Sequence, residues 1–394
     1  MARRFGELDP PRRVLMGPGP NDVPPRVLRA LSVPPVGYMD PAFLRIMDET
    51  QELLRFVFRT ENQLTLPVSG TGTAGMDTCF VNLVEPGDRV VVGVNGFFGA
   101  RMVENARRLG ADVAAVEAPW GEALSPKEME TAIQKGRPKV VAVVHAETST
   151  GVLQPLEEIG ESAHRAGALF LVDTVTSLGG MEVKVDEWGI DATFSASQKC
   201  LGCPPGLSPI SMGERALEVI EGRNSDLPTF YLDMGMVRKY WGSERLYHHT
   251  APINMVYGLR EGLRLVQEEG LEARFRRHLN NHLALVAGLE ALGLQMHVAQ
   301  GLRLPSLNTV RVPDGVDDLK VRKTLLEDFQ IEIGAALGAL RGKVWRVGLM
   351  GHSSLPRNVL YFLGAMGSVL KAIGVCRDAG AGVVAATERY STLA

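Results

Sequence analysis

Lys199 and Asp173 are the residues whose types and spacing first suggest chemistry. Lys199 sits in Ser195-Ala196-Ser197-Gln198-Lys199-Cys200-Leu201, about one strand-loop-strand unit after Leu171-Val172-Asp173-Thr174-Val175. Most lysines are solvated. At the end of an interior strand, desolvation or a cationic neighbour lowers the pKa and frees the amine as a nucleophile. A carboxylate closing an apolar strand needs a cation or N–H donor to offset its burial. Alone it reads as readily as a helix N-cap or half of a core ion pair. Together the two suit a pyridoxal 5'-phosphate (PLP) site, with the Lys holding the cofactor as a Schiff base and the Asp pairing with the pyridinium nitrogen.

Ser69-Gly70-Thr71-Gly72-Thr73-Ala74-Gly75 joins a strand-like run to a helix-like run, Ala74 to Leu83. Amides of a Gly-rich turn at a helix N-terminus bind phosphate, and Thr hydroxyls add donors. Gly70, Gly72 and Gly75 also spell G-x-G-x-x-G, which in a dinucleotide site is followed by an acid ending the next strand. That strand, Arg89 to Val94, runs into Asn95-Gly96 instead. One phosphate is therefore expected, rather than an NAD-dependent oxidoreductase. Phe98, in Asn95-Gly96-Phe97-Phe98, lies at the carboxyl edge where open α/β sheets bind ligands, and a ring there can stack on a flat cofactor. Arg346, in Lys343-Val344-Trp345-Arg346-Val347-Gly348, alternates with Trp345 and Val347 and could take a carboxylate bidentately.

No metal is expected. Cys200-Leu201-Gly202-Cys203 is a lone C-x-x-C without the second pair or spaced His that zinc needs. His248 and His249, read as neighbours on a strand, would point to opposite sides.

These residues need elements to hold them. At 394 residues the chain exceeds one ordinary core, so two domains are expected. Leu64 to Val68, Arg89 to Val94, Lys139 to His145, Ala168 to Val175, Ala192 to Ala196 and Leu207 to Met212 are short runs, several without polar alternation. Such runs fit strands buried on both faces of a largely parallel sheet. Pro126 to Lys135 and Leu156 to Ala166 read as crossover helices, Asp40 to Phe58 as an amphipathic one. After Met255 to Gln267 and Gly270 comes a smaller α+β unit: helices Glu272 to Leu292, Val316 to Phe329 and Pro356 to Ile373, strands Leu307 to Val312 and Val344 to Gly348. The expected division is an arm over 1–20, a large α/β cofactor domain over 21–270 with a mostly parallel sheet of the seven-stranded type, and a small domain over 271–394. The arm is too rich in Pro and Gly for regular structure, and the tail Asp378 to Ala394 could fray.

The net charge is −3 with no long basic run, which argues against nucleic acid or an anionic membrane as partner. The four cysteines suit a reducing compartment. Met1-Ala2-Arg3-Arg4-Phe5-Gly6-Glu7 is not a signal peptide, and no stretch is long and apolar enough to span a bilayer. A cytoplasmic location is the expectation.

Taken in order along nearly the whole chain, the motifs resemble the class V, fold-type I PLP aminotransferases, most nearly the alanine–glyoxylate and serine–glyoxylate (serine–pyruvate) group. They include Met16-Gly17-Pro18-Gly19-Pro20, Ser69-Gly70-Thr71-Gly72-Thr73, Glu147-Thr148-Ser149-Thr150-Gly151, Ser197-Gln198-Lys199 and Tyr247-His248-His249-Thr250. The resemblance implies that Lys199 carries the cofactor and Asp173 binds its ring nitrogen. It implies that Val175 packs under the ring, Phe98 over it and Thr148 beside it, and that Thr71, Gly72, Thr73 and Gln198 hold the phosphate. Arg346 would take the substrate carboxylate, with Gly19 and Tyr38 nearby. Tyr247 and Thr250 would reach the partner's phosphate in a homodimer, and a ping-pong transfer from alanine or serine to glyoxylate would follow. Phe98 replaces a Trp of eukaryotic members, and Thr73 a His of some. A sister branch acting on ureidoglycine has Gln at the position of Tyr38 and Asn at that of Tyr247. Phenols cannot supply the paired donor and acceptor of those amides. Cysteine desulfurase and a non-catalytic PLP-fold protein are the remaining alternatives.

Overall fold

The computed structural model describes residues 5–393; the expectations for Met1 to Arg4 and for Ala394 lie outside the described residues. Seven strands form the main sheet: β1 (Leu64–Ser69), β2 (Arg89–Val94), β3 (Asp112–Glu117), β4 (Val140–Val144), β5 (Leu169–Asp173), β6 (Ala192–Phe194) and β7 (Leu207–Met212). Their order is β1-β7-β6-β5-β4-β2-β3. Only β7 runs against its neighbours, β1 and β6; the other pairings are parallel. This is the α/β sheet expected of the continuous apolar runs. β4 and β5 are buried at every residue because helices cover both faces.

Strand β3 was not expected. It is the edge strand, it is partly exposed along its length, and its sequence Asp-Val-Ala-Ala-Val-Glu lacks a continuous apolar run.

Helix α1 (Pro41–Phe58) starts at an N-cap, where Asp40 accepts from the Ala42 N–H at 2.7 Å. Pro41 follows at the first helical position, where its missing N–H costs nothing. Helices α2 (Gly72–Leu83) and α3 (Phe97–Arg108) follow β1 and β2, while α4 (Pro126–Gln134) and α5 (Glu157–Arg165) precede β4 and β5. After β7 come α6 (Ile253–Glu269) and α7 (Leu271–Ala291), separated by Gly270 at φ 79°.

A three-stranded antiparallel sheet follows, ordered β8 (Leu307–Arg311), β10 (Val344–Gly348), β9 (Gly334–Ala335). It packs with α7, α8 (Asp318–Asp328) and α9 (Pro356–Ala372) around a second core that includes Trp345, Val347, Leu285 and Phe362. The larger core gathers residues from Val27 to Leu271.

Two terminal expectations are corrected. The arm is not wholly irregular: Val14–Leu15 pairs in parallel with Ile331–Glu332, and Met16 is buried in the second core. Extended backbone supplies that pairing even beside Pro and Gly. The tail does not fray: α10 (Ala381–Leu393) packs on α7. Gly288 and Gly382 meet there, and a Cβ on Gly288 would lie 2.7 Å from the Gly382 carbonyl oxygen. Tyr390 adds a 2.7 Å hydrogen bond to Asn281 Oδ1. Small residues read as tail composition are what let two helices approach closely. Among the described residues, no helix is long and apolar enough to cross a membrane.

Candidate active site

The carboxyl ends of β1, β2, β4, β5 and β6 face one edge of the sheet, where their loops meet in a cavity of about 150 Å³. Thr71, Gly72, Thr73, Phe98, Thr148, Asp173, Val175, Gln198 and Lys199 all line it. So do Arg101, Met76 and Thr176, which the sequence reading passed over.

Asp173 is buried at the end of β5, with one backbone donor, the Val175 N–H at 2.8 Å. Burial pushes its carboxyl up to about 7, and nearby Glu147 adds to the rise. Lys199 is also buried. Burial brings its amine down to about 8, helped by the Arg346 cation. Its Nζ donates to the Pro18 carbonyl oxygen. Gly19 lies against the Lys stem: a Cβ there, at φ +99°, would sit 2.7 Å from Lys199 Cδ. An acid and a base are thus each penalised for carrying charge. A protonated ring nitrogen is the partner that would relieve Asp173.

At the other end of the cavity, Thr71 is the N-cap of α2, yet no side chain caps that helix. Gly70, at φ +138°, turns the chain into it. A Cβ on Gly72 would press on Ala196 and Val175 at 3.1 and 3.2 Å, so the glycine keeps the backbone close to the cavity floor. Gly75 serves packing: a side chain would run into Ser208 of β7. Among the described residues the Gln198 carboxamide oxygen, buried, has no hydrogen-bond partner. An uncapped helix N-terminus and two Thr hydroxyls suit a phosphate, to which Gln198 could donate only through its carboxamide NH2, not through the unpaired oxygen.

Helix α3 is closed by contrast. The buried Glu147 carboxylate accepts from the N–H groups of Phe98 at 3.0 Å, Gly99 at 3.3 Å and Ser149 at 3.0 Å, and from Ser149 Oγ at 2.6 Å. Ser149 Oγ in turn accepts from the Phe97 N–H at 2.9 Å. Sequence reasoning missed Glu147. The available signal was an acid two residues before a Ser, in a loop facing a helix whose own N-cap, Gly96, has no side chain.

Arg346 is buried on β10. Its Nε donates to the Ala335 carbonyl oxygen at 2.7 Å and its Nη1 to that of Thr148 at 3.2 Å. These bonds fix the plane of the fork beside the cavity. Burial lowers its pKa to about 10, which leaves it charged at neutral pH.

Tyr38, Tyr247 and Thr250 are not brought to this cavity. Tyr247 is exposed, its ring centroid 5.0 Å from that of Tyr38 and its hydroxyl 3.5 Å from Thr250 Oγ1. The His pair also differs from the strand reading. Residues 245–250 form a loop, and His248 Nδ1 faces His249 Nδ1 at 2.8 Å instead of pointing away. The outer nitrogens contact the Phe230 carbonyl at 3.0 Å and Ser69 Oγ at 3.4 Å. Among the described residues, no group of three His, Cys, Asp or Glu is arranged for a metal. Burial pushes the Cys200 and Cys203 thiols up to about 11 and 12, so both stay protonated. Cys376 flanks the second core, outside the cavity lining.

The family model "Aminotransferase class-V" matches residues 36–342. The chain belongs to the class-V aminotransferases. The crystal structure of an alanine–glyoxylate aminotransferase from Nostoc sp. superposes with a TM-score of 0.92 at 52% identity, covering 93% of this chain and 98% of that one. A ureidoglycine–glyoxylate aminotransferase structure from Bacillus subtilis gives 0.96 at 44%, covering 98% and 100%. An alanine–glyoxylate aminotransferase from Drosophila melanogaster is 41% identical over 93% of this chain and 95% of its own. This class-V aminotransferase therefore has the fold and the catalytic class that its motifs resemble, and the family is PLP-dependent in general.

Proposed function

We propose that this aminotransferase binds PLP in the cavity and transfers the amino group of L-alanine or L-serine to glyoxylate, giving glycine and pyruvate or hydroxypyruvate. The observation that carries the reading is one cavity holding a buried Lys–Asp pair at one end and an uncapped helix N-terminus at the other. When bound, PLP supplies an aldehyde that captures the donor amine and a ring that accepts electrons. Lys199 carries it, and Asp173, ionised beside the ring nitrogen, keeps that nitrogen protonated. Val175, Phe98 and Thr148, which line the cavity, would pack against the ring. Thr71, Gly72, Thr73 and Gln198 hold the phosphate.

Lys199, with its amine near 8, is poised as the general base that takes the donor's Cα proton. Arg346 clamps the single carboxylate of donor or acceptor, with Gly19 lining the approach. One guanidinium suffices because alanine, serine and glyoxylate each carry one carboxylate. Tyr247 and Thr250, exposed and outside their own chain's cavity, serve the partner's site in a homodimer, and Tyr38, its ring tilted against that of Tyr247, goes with them. The units are an arm over 1–20, a cofactor domain over 21–270 and a small domain over 271–394, working in the cytoplasm.

Ureidoglycine is the second donor reading, favoured by the Bacillus relative. The Tyr38–Tyr247 ring pair speaks for the small donors alanine and serine, since phenol side chains cannot pair with a ureido group as amides do. The visible spectrum of PLP-loaded protein tests this, with L-alanine, L-serine or ureidoglycine added and then glyoxylate. Bleaching by alanine or serine and recovery with glyoxylate is expected. Bleaching by ureidoglycine alone would replace the donor assignment, and no visible band after incubation with PLP would remove the cofactor. Lys199→Ala should abolish turnover, and near-normal turnover would refute its role.

A further inference from the structure

We infer that Arg101 is the cation of the phosphate end of the cavity and, through the same guanidinium, the clamp that holds Phe98 in place. The inference rests on the PLP reading and adds a residue to it. The groups assigned to the phosphate (Thr71, Gly72, Thr73 and Gln198) are all neutral. A phosphate monoester brings about −1.5 to −2 charge at neutral pH, whereas a helix N-terminus offers only roughly half a positive charge. Of the residues lining the cavity, only Arg101 and Lys199 are cationic, and Lys199 belongs to the Asp173 end.

Arg101 projects from the first turns of α3 toward the start of α2. Its Nη1 donates to Thr73 Oγ1 at 3.2 Å. Its guanidinium carbon lies 5.0 Å from the Phe97 ring centroid and 5.2 Å from that of Phe98. Phe97 and Phe98 stand at i−4 and i−3 from Arg101, so all three share one helix face. The rings hold the guanidinium by cation–π contact, and the guanidinium restrains Phe98 in return. Thr73 orients the fork from the opposite side. With Glu147 closing the α3 terminus, Arg101 lets α3 contribute to anion binding through a side chain while its own amides are spent. Guanidinium is suited to this because its planar donors match phosphate oxygens.

The test compares two probes on one variant. Cofactor-free wild type and Arg101→Ala are titrated with PLP and with pyridoxal, which lacks the phosphate, following the visible band. The wild type is expected to bind PLP far more tightly than pyridoxal. Arg101→Ala should weaken PLP by at least tenfold and pyridoxal by only about two- to threefold, the smaller loss reading the freed Phe98 and the difference reading the phosphate, with Arg101→Lys between wild type and Ala for PLP; a pyridoxal affinity left unchanged would overturn the clamp on Phe98. Equal weakening of both probes would overturn the phosphate role and leave only the hold on Phe98. No change with either would overturn both. A wild type that fails to bind PLP would instead refute the proposed function, so the two failures are distinguishable. Thermal unfolding of the cofactor-free proteins should show Arg101→Ala folded, and an unfolded Ala variant would shift the comparison to Arg101→Lys.

Discussion

Helices α2 and α3 begin at the same edge of one sheet, each after a Gly-containing loop, yet their N-termini are finished in opposite ways. At α3 the chain supplies its own anion: Glu147 takes the Phe98 and Gly99 amides, and Ser149 takes that of Phe97. At α2 no side chain among the described residues caps the helix, and the loop leaves the terminus facing the cavity. A helix N-terminus is an anion site by default. Where the chain brings a carboxylate, the terminus is structural. Where it brings none, the terminus keeps its amides open to the phosphate proposed for it. The difference also places the two charges that matter for the ring end, since Glu147 helps hold Asp173 near 7.

The most severe way to break the contrast is to give α2 a carboxylate of its own. Thr71→Asp places an acid at an N-cap position in extended backbone, φ −84° and ψ 179°. Stability of the cofactor-free protein should hold or rise slightly, as N-cap acids favour helices. PLP affinity should fall roughly 100-fold or more, because two like charges in contact cost several kcal/mol. A parallel titration and thermal melt check this, and an unchanged affinity would refute the α2 assignment.

Removing the charge that closes α3 comes next. Glu147→Gln keeps the shape but leaves helix amides and Ser149 with a weaker acceptor, at a cost of about 1–3 kcal/mol by urea unfolding. The same variant should lower the Asp173 pKa, since one carboxylate no longer faces another.

Asp173 gives the pH test. Its folded pKa, about 7, lies above its unfolded value near 4, so the folded chain binds the extra proton between them. Its contribution to stability is complete below about 4 and is lost as pH rises to about 7. Cofactor-free wild type should therefore lose stability across that window relative to Asp173→Asn. Bound PLP should remove the difference by pairing the ionised Asp. Parallel pH curves of the two cofactor-free proteins would contradict it.

The smallest effect is expected from Thr73→Ala. It removes one hydroxyl beside α2 and the bond that orients Arg101. A loss of about 0.5–1.5 kcal/mol in PLP binding, roughly two- to tenfold, follows.

Lys199, Asp173 and the Gly-Thr loop were legible because each sits where a strand ends, and strands buried on both faces announce themselves as apolar runs. Arg346 was singled out by its place in an alternating strand, but alternation puts it on a face without saying what that face meets. Strand β3 escaped because an edge strand is half solvated. Helix α10 escaped because its small residues are signals of close packing only once the opposing Gly288 is known. Glu147 and Arg101 escaped for a shared reason: each acts on groups brought near by the fold, Glu147 across 48 and 49 residues and Arg101 across 28. The His248–His249 contact was misread because the segment is a loop, to which strand alternation does not apply.

The central claim is that α2 holds the cofactor's phosphate because the chain provides no anion of its own there. The ³¹P NMR signal of the PLP-loaded protein, followed from about pH 5 to pH 9, tests this most directly. A phosphate held by α2 amides, Thr hydroxyls and Arg101 should stay dianionic, with a shift nearly independent of pH. A signal that titrates near pH 6, as a free monoester does, would contradict the account.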